Sequence, residues 1–418
     1  MIQLERLRKI GFSKLTSLED AIKKLDSHIK FTSIEEIQTS IALNRILAED
    51  IVSQIDIPPF ERAAMDGYAL KATDTFEASL KNPKKVKLVG KVEVGGFSDL
   101  EIDEGEAIRI STGAAVPKGA DTVIKIEDTD IKEDIITLYT SLVPGKNISK
   151  KGEDIPKGKK ILNRGIQLKA EHIALLSSSG FTKIKVRARP KVSVYATGDE
   201  LIELGNPLEP NKIYNSNTPM ISNLVKTYGG SVIRESTLKD IKEEILETLF
   251  NSVKDSNIVI FTGGTSVGTK DLLPEIMHEN VAVLTHGIAM RPGSPILIGH
   301  KDNIIIFCLP GTPVAAYIGF LTFVGPTIRK MLGCIKHDPR REIYATIIKD
   351  VPLSSMGYVN HLRVKIEKTD NDIIAVPIRL KGSGIISSLT ESDGIVEIPP
   401  YQEGLKKGEK VLIKLFLN

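Results

Sequence analysis

Between Phe261 and Asp271 the chain reads Phe-Thr-Gly-Gly-Thr-Ser-Val-Gly-Thr-Lys-Asp, residue types able to cradle an oxyanion beside a cation. Gly263, Gly264 and Gly268 lack Cβ atoms, so the backbone can turn tightly and bring N–H groups close to a ligand. Thr265 and Ser266 add hydroxyls, and Asp271 offers a hard oxygen of the kind Mg²⁺ takes. A plain glycine-rich turn out of a strand explains the same residues without any ligand. Other segments therefore have to decide.

Several carry complementary chemistry. Carboxylates around an oligo-anion make sense only with a cation between them, and Asp271 and Glu200 are the best ligand candidates. Asp240 suits a helix N-cap as well as an acidic site wall. Met290-Arg291-Pro292-Gly293-Ser294-Pro295 offers a cation, backbone donors and a hydroxyl on a loop stiffened by two prolines, which suits phosphate or a tetrahedral metal oxide. A proline-rich loop with a solvent-facing Arg is its plain reading. In Leu309-Pro310-Gly311-Thr312-Pro313, Thr312 is placed as N-cap and Pro313 as first residue of an apolar helix running from Val314 to Leu332, whose positive end would face an anion. Pro58 to Ala69 and Arg109 to Ala114 are distinctive stretches that periodicity does not explain. The seven histidines show no ligand spacing.

These residues need scaffolds. Asn257 to Phe261 is a β-branched run of the kind found in strands covered on both faces. From Pro190 to about Leu332 strand and helix alternate: Val192 to Ala196, helix Pro219 to Tyr228, Ser231 to Glu235, then helix Ile241 to Val253 with a capping box from Asp240 and Glu243. Repeated βα units predict a mostly parallel, three-layer α/β domain with its ligand beyond the carboxyl ends of the strands. That rule brings together the loop Thr197 to Glu200, Asp240 and the cradle. Residues 1 to about 50 read as helical, with Ser17 as N-cap and apolar residues from Leu15 to Ile29 at helical spacing. Val52 to about Gly145 reads as an all-β insertion, 147–189 as a mixed segment with a helix from Lys169 to Ser179, and the end of the chain as a small β domain.

Length and composition limit the alternatives. At 418 residues the chain exceeds one core, so two to four domains are expected. A net charge of +3, from 56 basic and 53 acidic residues, is too balanced for a dedicated nucleic-acid binder. Cys308 and Cys334 lack the spacing of a zinc site or a disulfide framework. No basic-then-apolar leader and no membrane-length apolar run is present, which predicts a cytoplasmic protein without membrane association.

With these residues in hand, the chain resembles the molybdopterin molybdenumtransferases, the family of MoeA and the C-terminal domain of gephyrin. The resemblance spans essentially the whole chain. It rests on Ala64-Met65-Asp66-Gly67-Tyr68-Ala69, Thr112-Gly113-Ala114, Gly152-Glu153-Asp154-Ile155, Thr197-Gly198-Asp199-Glu200-Leu201, Gly263 to Gly268, Arg291-Pro292-Gly293, Leu309-Pro310-Gly311 and Gly382-Ser383-Gly384. It implies a mixed helical N-terminal dimerisation domain (1–50 plus 147–189), an inserted β domain (51–146), an α/β molybdopterin-binding domain (190–335) and a C-terminal β-barrel-like domain (336–418). It also implies a homodimer with a composite site, in which adenylylated molybdopterin is hydrolysed with Mg²⁺, AMP leaves and molybdate enters the dithiolene. By the same resemblance Asp66 and Thr112 reach the partner's cleft, and Glu200, Asp240 and Asp271 surround the metal and the anhydride. The molybdopterin adenylyltransferase is then a candidate delivery partner.

The chain departs from the family pattern in places. The family commonly has lysine where this chain has Ser294, asparagine at Thr312, serine at Ala315 and often serine at Ala63. A missing ammonium removes a charge-assisted hydrogen bond worth roughly 1.5 to 3 kcal/mol, so oxyanion affinity or the choice between molybdate and tungstate is expected to change, with Arg291 and Arg363 as compensating cations. Two rival readings are a pterin-binding scaffold that has lost turnover and a nucleotide-processing hydrolase sharing only the α/β domain. Residues 64–69 and the C-terminal domain go unexplained by the second.

Overall fold

The structure, a computed structural model, describes residues 15–96, 99, 101–265, 272–353, 356–370, 372–379 and 382–417. Its largest core surrounds a six-stranded sheet in the order Ser231–Leu238, Lys191–Thr197, Ile258–Thr262, Ile304–Leu309, Leu297–Lys301, Ala282–His286. The first four strands run parallel, and Leu297–Lys301 runs against both its neighbours. Alternate side chains face opposite layers, as the pleat requires. Val192, Val194, Ile258, Ile260, Ile305 and Phe307 pack with Ile221 and Val225 of helix Asn217–Thr227 and with the apolar residues of 313–331. Tyr195, Val259, Phe261, Ile306 and Cys308 pack instead with Ile245 and Leu249 of helix Lys242–Val253 and with Ile276 and Met277 of helix Leu273–Asn280. This is the expected three-layer arrangement. The long apolar helix is broken by a π-helical stretch, Phe320–Val324, between Pro313–Gly319 and Gly325–Met331.

The start of the chain differs from the helical expectation. Helix Leu18–Asp26 forms, capped by Ser17, whose hydroxyl accepts the Asp20 N–H at 3.1 Å. Beyond it, Ile34–Gln38 is a strand antiparallel to Lys183–Arg187, and Ile46 and Leu47 bridge to Gln167 and Val186. Ala42, Leu47 and Ile51 are buried against Leu162, Leu168, Leu176, Ile184 and Val186. Partners arriving from far downstream decide this segment, and local spacing carries no trace of them.

The insertion is a second six-stranded sheet, ordered Thr122–Lys125, Gly67–Leu70, Glu106–Ile110, Lys84–Val92, Ile135–Leu138, Thr129–Lys132. At the C-terminal end Val359–Lys368, Ile373–Arg379, Glu342–Ile347, Lys410–Leu415 and Gly394–Ile398 pair in turn. Gly394–Ile398 then pairs back to Val359–Lys368, closing a five-stranded barrel. Two residues of the α/β region join it from outside: Met290–Arg291 leaves the central sheet and pairs in parallel with Val359 and Asn360. Among the described residues, no helix is long and apolar enough to cross a membrane.

Candidate active site

The three central parallel strands end level with one another, since Ala196 pairs with Thr262 and Thr262 with Leu309. Their exits are crowded enough to demand glycine. A Cβ on Gly263, whose φ is +108°, would stand 2.3 Å from the Thr197 carbonyl oxygen, and one on Gly311 would stand 3.3 Å from the Gly263 Cα. The Gly263 N–H donates to the Leu309 carbonyl at 3.1 Å. Glycine here therefore serves chain-on-chain packing, and this amide is committed to the fold rather than offered to a ligand. Gly264 follows with φ +52°. Thr265 is buried, and its backbone bonds the His286 ring. Ser266, Gly268 and Asp271, expected to complete the cradle and the metal site, lie outside the described residues.

Sequence reasoning missed the polar atoms behind this turn. Thr197 Oγ1, Thr262 Oγ1 and Asn217 Oδ1 are buried and lack a hydrogen-bond partner among the described residues, whereas native interiors satisfy most such groups with protein, water or ligand. Asn217 begins its helix two residues earlier than expected and donates through Nδ2 to the Gly311 carbonyl at 2.8 Å. The Asn-Ser-Asn-Thr run before Pro219 was the available signal.

The acidic loops gather beside the turn. The Glu200 carboxylate folds back over Gly198: a Cβ built there would meet both carboxylate oxygens at 2.7 Å. The N-cap position of helix Lys242–Val253 is held by Ile241, which makes no side-chain cap bond, and not by Asp240. The helix thus starts one residue later than the capping box requires, with Glu243 at its second position. The Asp240 N–H instead donates to Asp199 Oδ1 at 3.3 Å, tying the loop after Ser231–Leu238 to the loop after Lys191–Thr197. A cavity of about 520 Å³ opens here, lined in part by Gly198, Asp199, Glu203, Lys212, Thr237 and Lys239. Its wall thus carries both signs of charge.

The proposed anion-holding segments are assembled by the barrel. The Arg291 guanidinium lies 3.9 Å above the Tyr358 ring, close enough for a cation–π contact. Ser294 turns inward and donates from Oγ to the Met290 carbonyl at 2.7 Å. Its hydroxyl is committed to the loop. Pro310 is buried, and Thr312 takes the N-cap position ahead of Pro313 without a side-chain cap bond. The helix end is partly closed, because the Val314 N–H donates to the Ser383 carbonyl at 3.0 Å. Arg363 is 0% exposed, on the outer face of the barrel beside Ile395, which packs with the central α/β core. Ala315 and Ala63 are buried too.

Asp66 and Thr112 sit together on the insertion sheet. The pairing of Gly67 with Ile110 aligns the two strand ends, and only glycine fits at 67, where a Cβ would stand 1.8 Å from the Ile124 carbonyl oxygen. Thr112 donates to Asp66 Oδ1 from both its backbone and its hydroxyl. Those bonds, the backbone one foremost, hold the Asp66 carboxyl below the usual range, with a smaller contribution from Arg109. Both residues are exposed, on a different sheet from the strand-end cluster.

Three family descriptions match the chain in order: the MoeA N-terminal region (domains I and II) over 16–180, a probable molybdopterin binding domain over 193–330, and the MoeA C-terminal region (domain IV) over 353–416. A molybdopterin molybdenumtransferase of Staphylococcus epidermidis is 35% identical over 397 residues, 94% of each chain. One from Bacillus subtilis is 33% identical over 95% of this chain and 93% of its own. The crystal structure of a molybdopterin biosynthesis MoeA protein from Pyrococcus horikoshii superposes with a TM-score of 0.84 at 35% identity, over 96% of this chain and all of the other.

Proposed function

The chain belongs to the molybdopterin molybdenumtransferase family, enzymes of molybdenum cofactor biosynthesis, and from that premise we propose that it hydrolyses adenylylated molybdopterin, releases AMP and inserts molybdate into the dithiolene. The observation that carries this reading is the convergence of Thr197, Gly263–Gly264 and Gly311 at the carboxyl ends of three parallel strands, with the Thr197 hydroxyl, buried and without a partner among the described residues, against the turn. A pterin phosphate has donors to meet there, and the acidic loops of Glu200 and Asp240 stand beside it.

The donor chemistry fits Mg²⁺, which keeps several waters and takes one or two carboxylates plus substrate phosphates rather than a full protein cage. Glu200 and Asp271 would hold it, and when bound it supplies charge neutralisation at the phosphoanhydride. Asp240 anchors its loop to Asp199 and so sets the acidic wall. Arg291, backed by Tyr358, holds the oxyanion. Asp66, kept ionised by Thr112, enters the cleft of a second copy in a homodimer and orients water there. A cytoplasmic setting and direct transfer of substrate from the molybdopterin adenylyltransferase complete the proposal.

The test is AMP release from adenylylated molybdopterin with Mg²⁺ and molybdate, tungstate or neither. Release that depends on the pterin moiety is expected. Failure to release AMP under every condition would overturn the proposal in favour of a binding scaffold, and release from substrates lacking pterin would favour a nucleotide hydrolase. Asp271→Ala should abolish turnover and leave the dimer intact.

A further inference from the structure

His361 reaches a segment of the proposed oxyanion site from the outer face of the barrel, opposite the core-facing Leu362 and Val364. It lies on strand Val359–Lys368, is 2% exposed, and its Nδ1 sits 3.2 Å from the Arg291 carbonyl oxygen. A carbonyl oxygen can only accept, so the hydrogen is on Nδ1 and the ring is the donor. Nε2 is then a bare acceptor, buried and without a hydrogen-bond partner among the described residues. Burial favours the neutral ring, while Glu397 across the ladder and the Arg291 carbonyl pull the other way; Arg340 and Lys414 again favour the neutral form. A histidine held in this way serves as a fixed donor rather than as an acid or base.

The same strand and Tyr358 just before it hold the Arg291 segment at three further points. Met290 and Arg291 pair with Val359 and Asn360, the Val359 N–H donates to the Ala289 carbonyl at 3.0 Å, and Tyr358 lies beneath the guanidinium. Asn360 in turn steadies Tyr358 by donating from Nδ2 to its carbonyl at 2.9 Å. Backbone, ring and imidazole thus hold one cation in place from the barrel side.

We propose that His361 is a positioning residue for oxyanion binding: by donating Nδ1–H to the Arg291 carbonyl it sets where the Arg291 guanidinium stands, so that the barrel tunes the affinity for molybdate. This rests on the assignment of Arg291 to the oxyanion. Asparagine can place a side-chain N–H where Nδ1–H stands, and leucine cannot.

The experiment uses the intact chain with His361→Leu, His361→Asn and Arg291→Ala, measuring KM for molybdate, kcat and melting temperature. His361→Leu is expected to raise KM about tenfold, as for loss of one hydrogen bond, with kcat changed less than about twofold. His361→Asn should return KM to within about threefold of the parent. If Arg291→Ala raises KM while His361→Leu leaves it unchanged, or if asparagine fails to rescue, the positioning role is wrong and the oxyanion assignment stands. If Arg291→Ala itself leaves KM unchanged, the assignment beneath the proposal fails. Should His361→Leu not fold, the ¹⁵N shifts of the parent ring decide: hydrogen on Nδ1 at neutral pH supports the role, and hydrogen on Nε2 overturns it.

Discussion

Thr112 donates twice to a single oxygen of Asp66, from its backbone N–H at 2.7 Å and from its hydroxyl at 2.9 Å. Both bonds favour the ionised carboxylate. The Asp66 midpoint, followed by carbonyl NMR, should therefore lie below 3.8. Thr112→Val removes only the hydroxyl bond, so the midpoint should rise part of the way, the larger backbone effect remaining. An unmoved midpoint would show that the hydroxyl contributes nothing.

Gly263 and Gly113 both have positive φ, +108° and +85°, but only Gly263 is crowded. Gly113→Ala should cost roughly 1 to 2 kcal/mol, the conformational term alone. Gly263→Ala adds a collision with the Thr197 carbonyl and should cost about 3 kcal/mol or more. Urea unfolding of the two variants tests the difference; equal losses would mean that the strand ends part easily.

Arg340 is 4% exposed and bonds Asp338 through Nε at 2.9 Å and a terminal nitrogen at 2.8 Å. Arg340→Ala should destabilise by about 1.5 to 3 kcal/mol, since a half-buried carboxylate loses its charge-assisted hydrogen bonds. Burial, the strongest influence on Asp338, pushes its pKa up, yet the Arg340 bonds and charge leave it lowered overall. The folded pKa is below the unfolded one, so this stabilisation is present above the unfolded value and is lost as pH falls through the folded one. Unfolding midpoints between pH 5 and pH 2 should fall more steeply for the parent than for Asp338→Asn. Parallel curves would exclude the pair as the source.

Ser294→Lys introduces an ammonium beside Arg291 and gives up the hydroxyl bond to Met290. KM for molybdate should fall about tenfold or more, the scale of one charge-assisted hydrogen bond. Assays with molybdate and tungstate in parallel check this; no change for either anion would place residue 294 outside the oxyanion site.

Much of the architecture was legible because it is written locally. The β-branched run ending at Thr262, the glycines after it and the Ser17 cap each identify their element without outside help. Residues 34–51 were not legible, because Ile34, Ile46 and Leu47 take partners among 167–187 and their spacing records only burial. Asp240 followed by Glu243 is a valid capping pattern, yet the Asp199 carboxylate claims the Asp240 amide, and sequence shows no such competition. Arg363 read as an available cation because charged residues are seldom fully buried; it is buried on the outer face of the barrel, beside Ile395 and the α/β core. His361 had no signal at all, since its contact with Arg291 exists only once two domains meet.

The Arg291 loop belongs to the α/β body by chain order and to the barrel by hydrogen bonding. A chain made from its N-terminus completes the central sheet when Ile304–Leu309 emerges, whereas strand Val359–Lys368 comes later. During synthesis the pterin-side floor can thus be finished while Arg291 still has no strand to pair with. Oxyanion capture would be the last competence the molecule acquires, and a chain cut short before the barrel could keep a sound α/β fold yet lack a set place for its metal oxide.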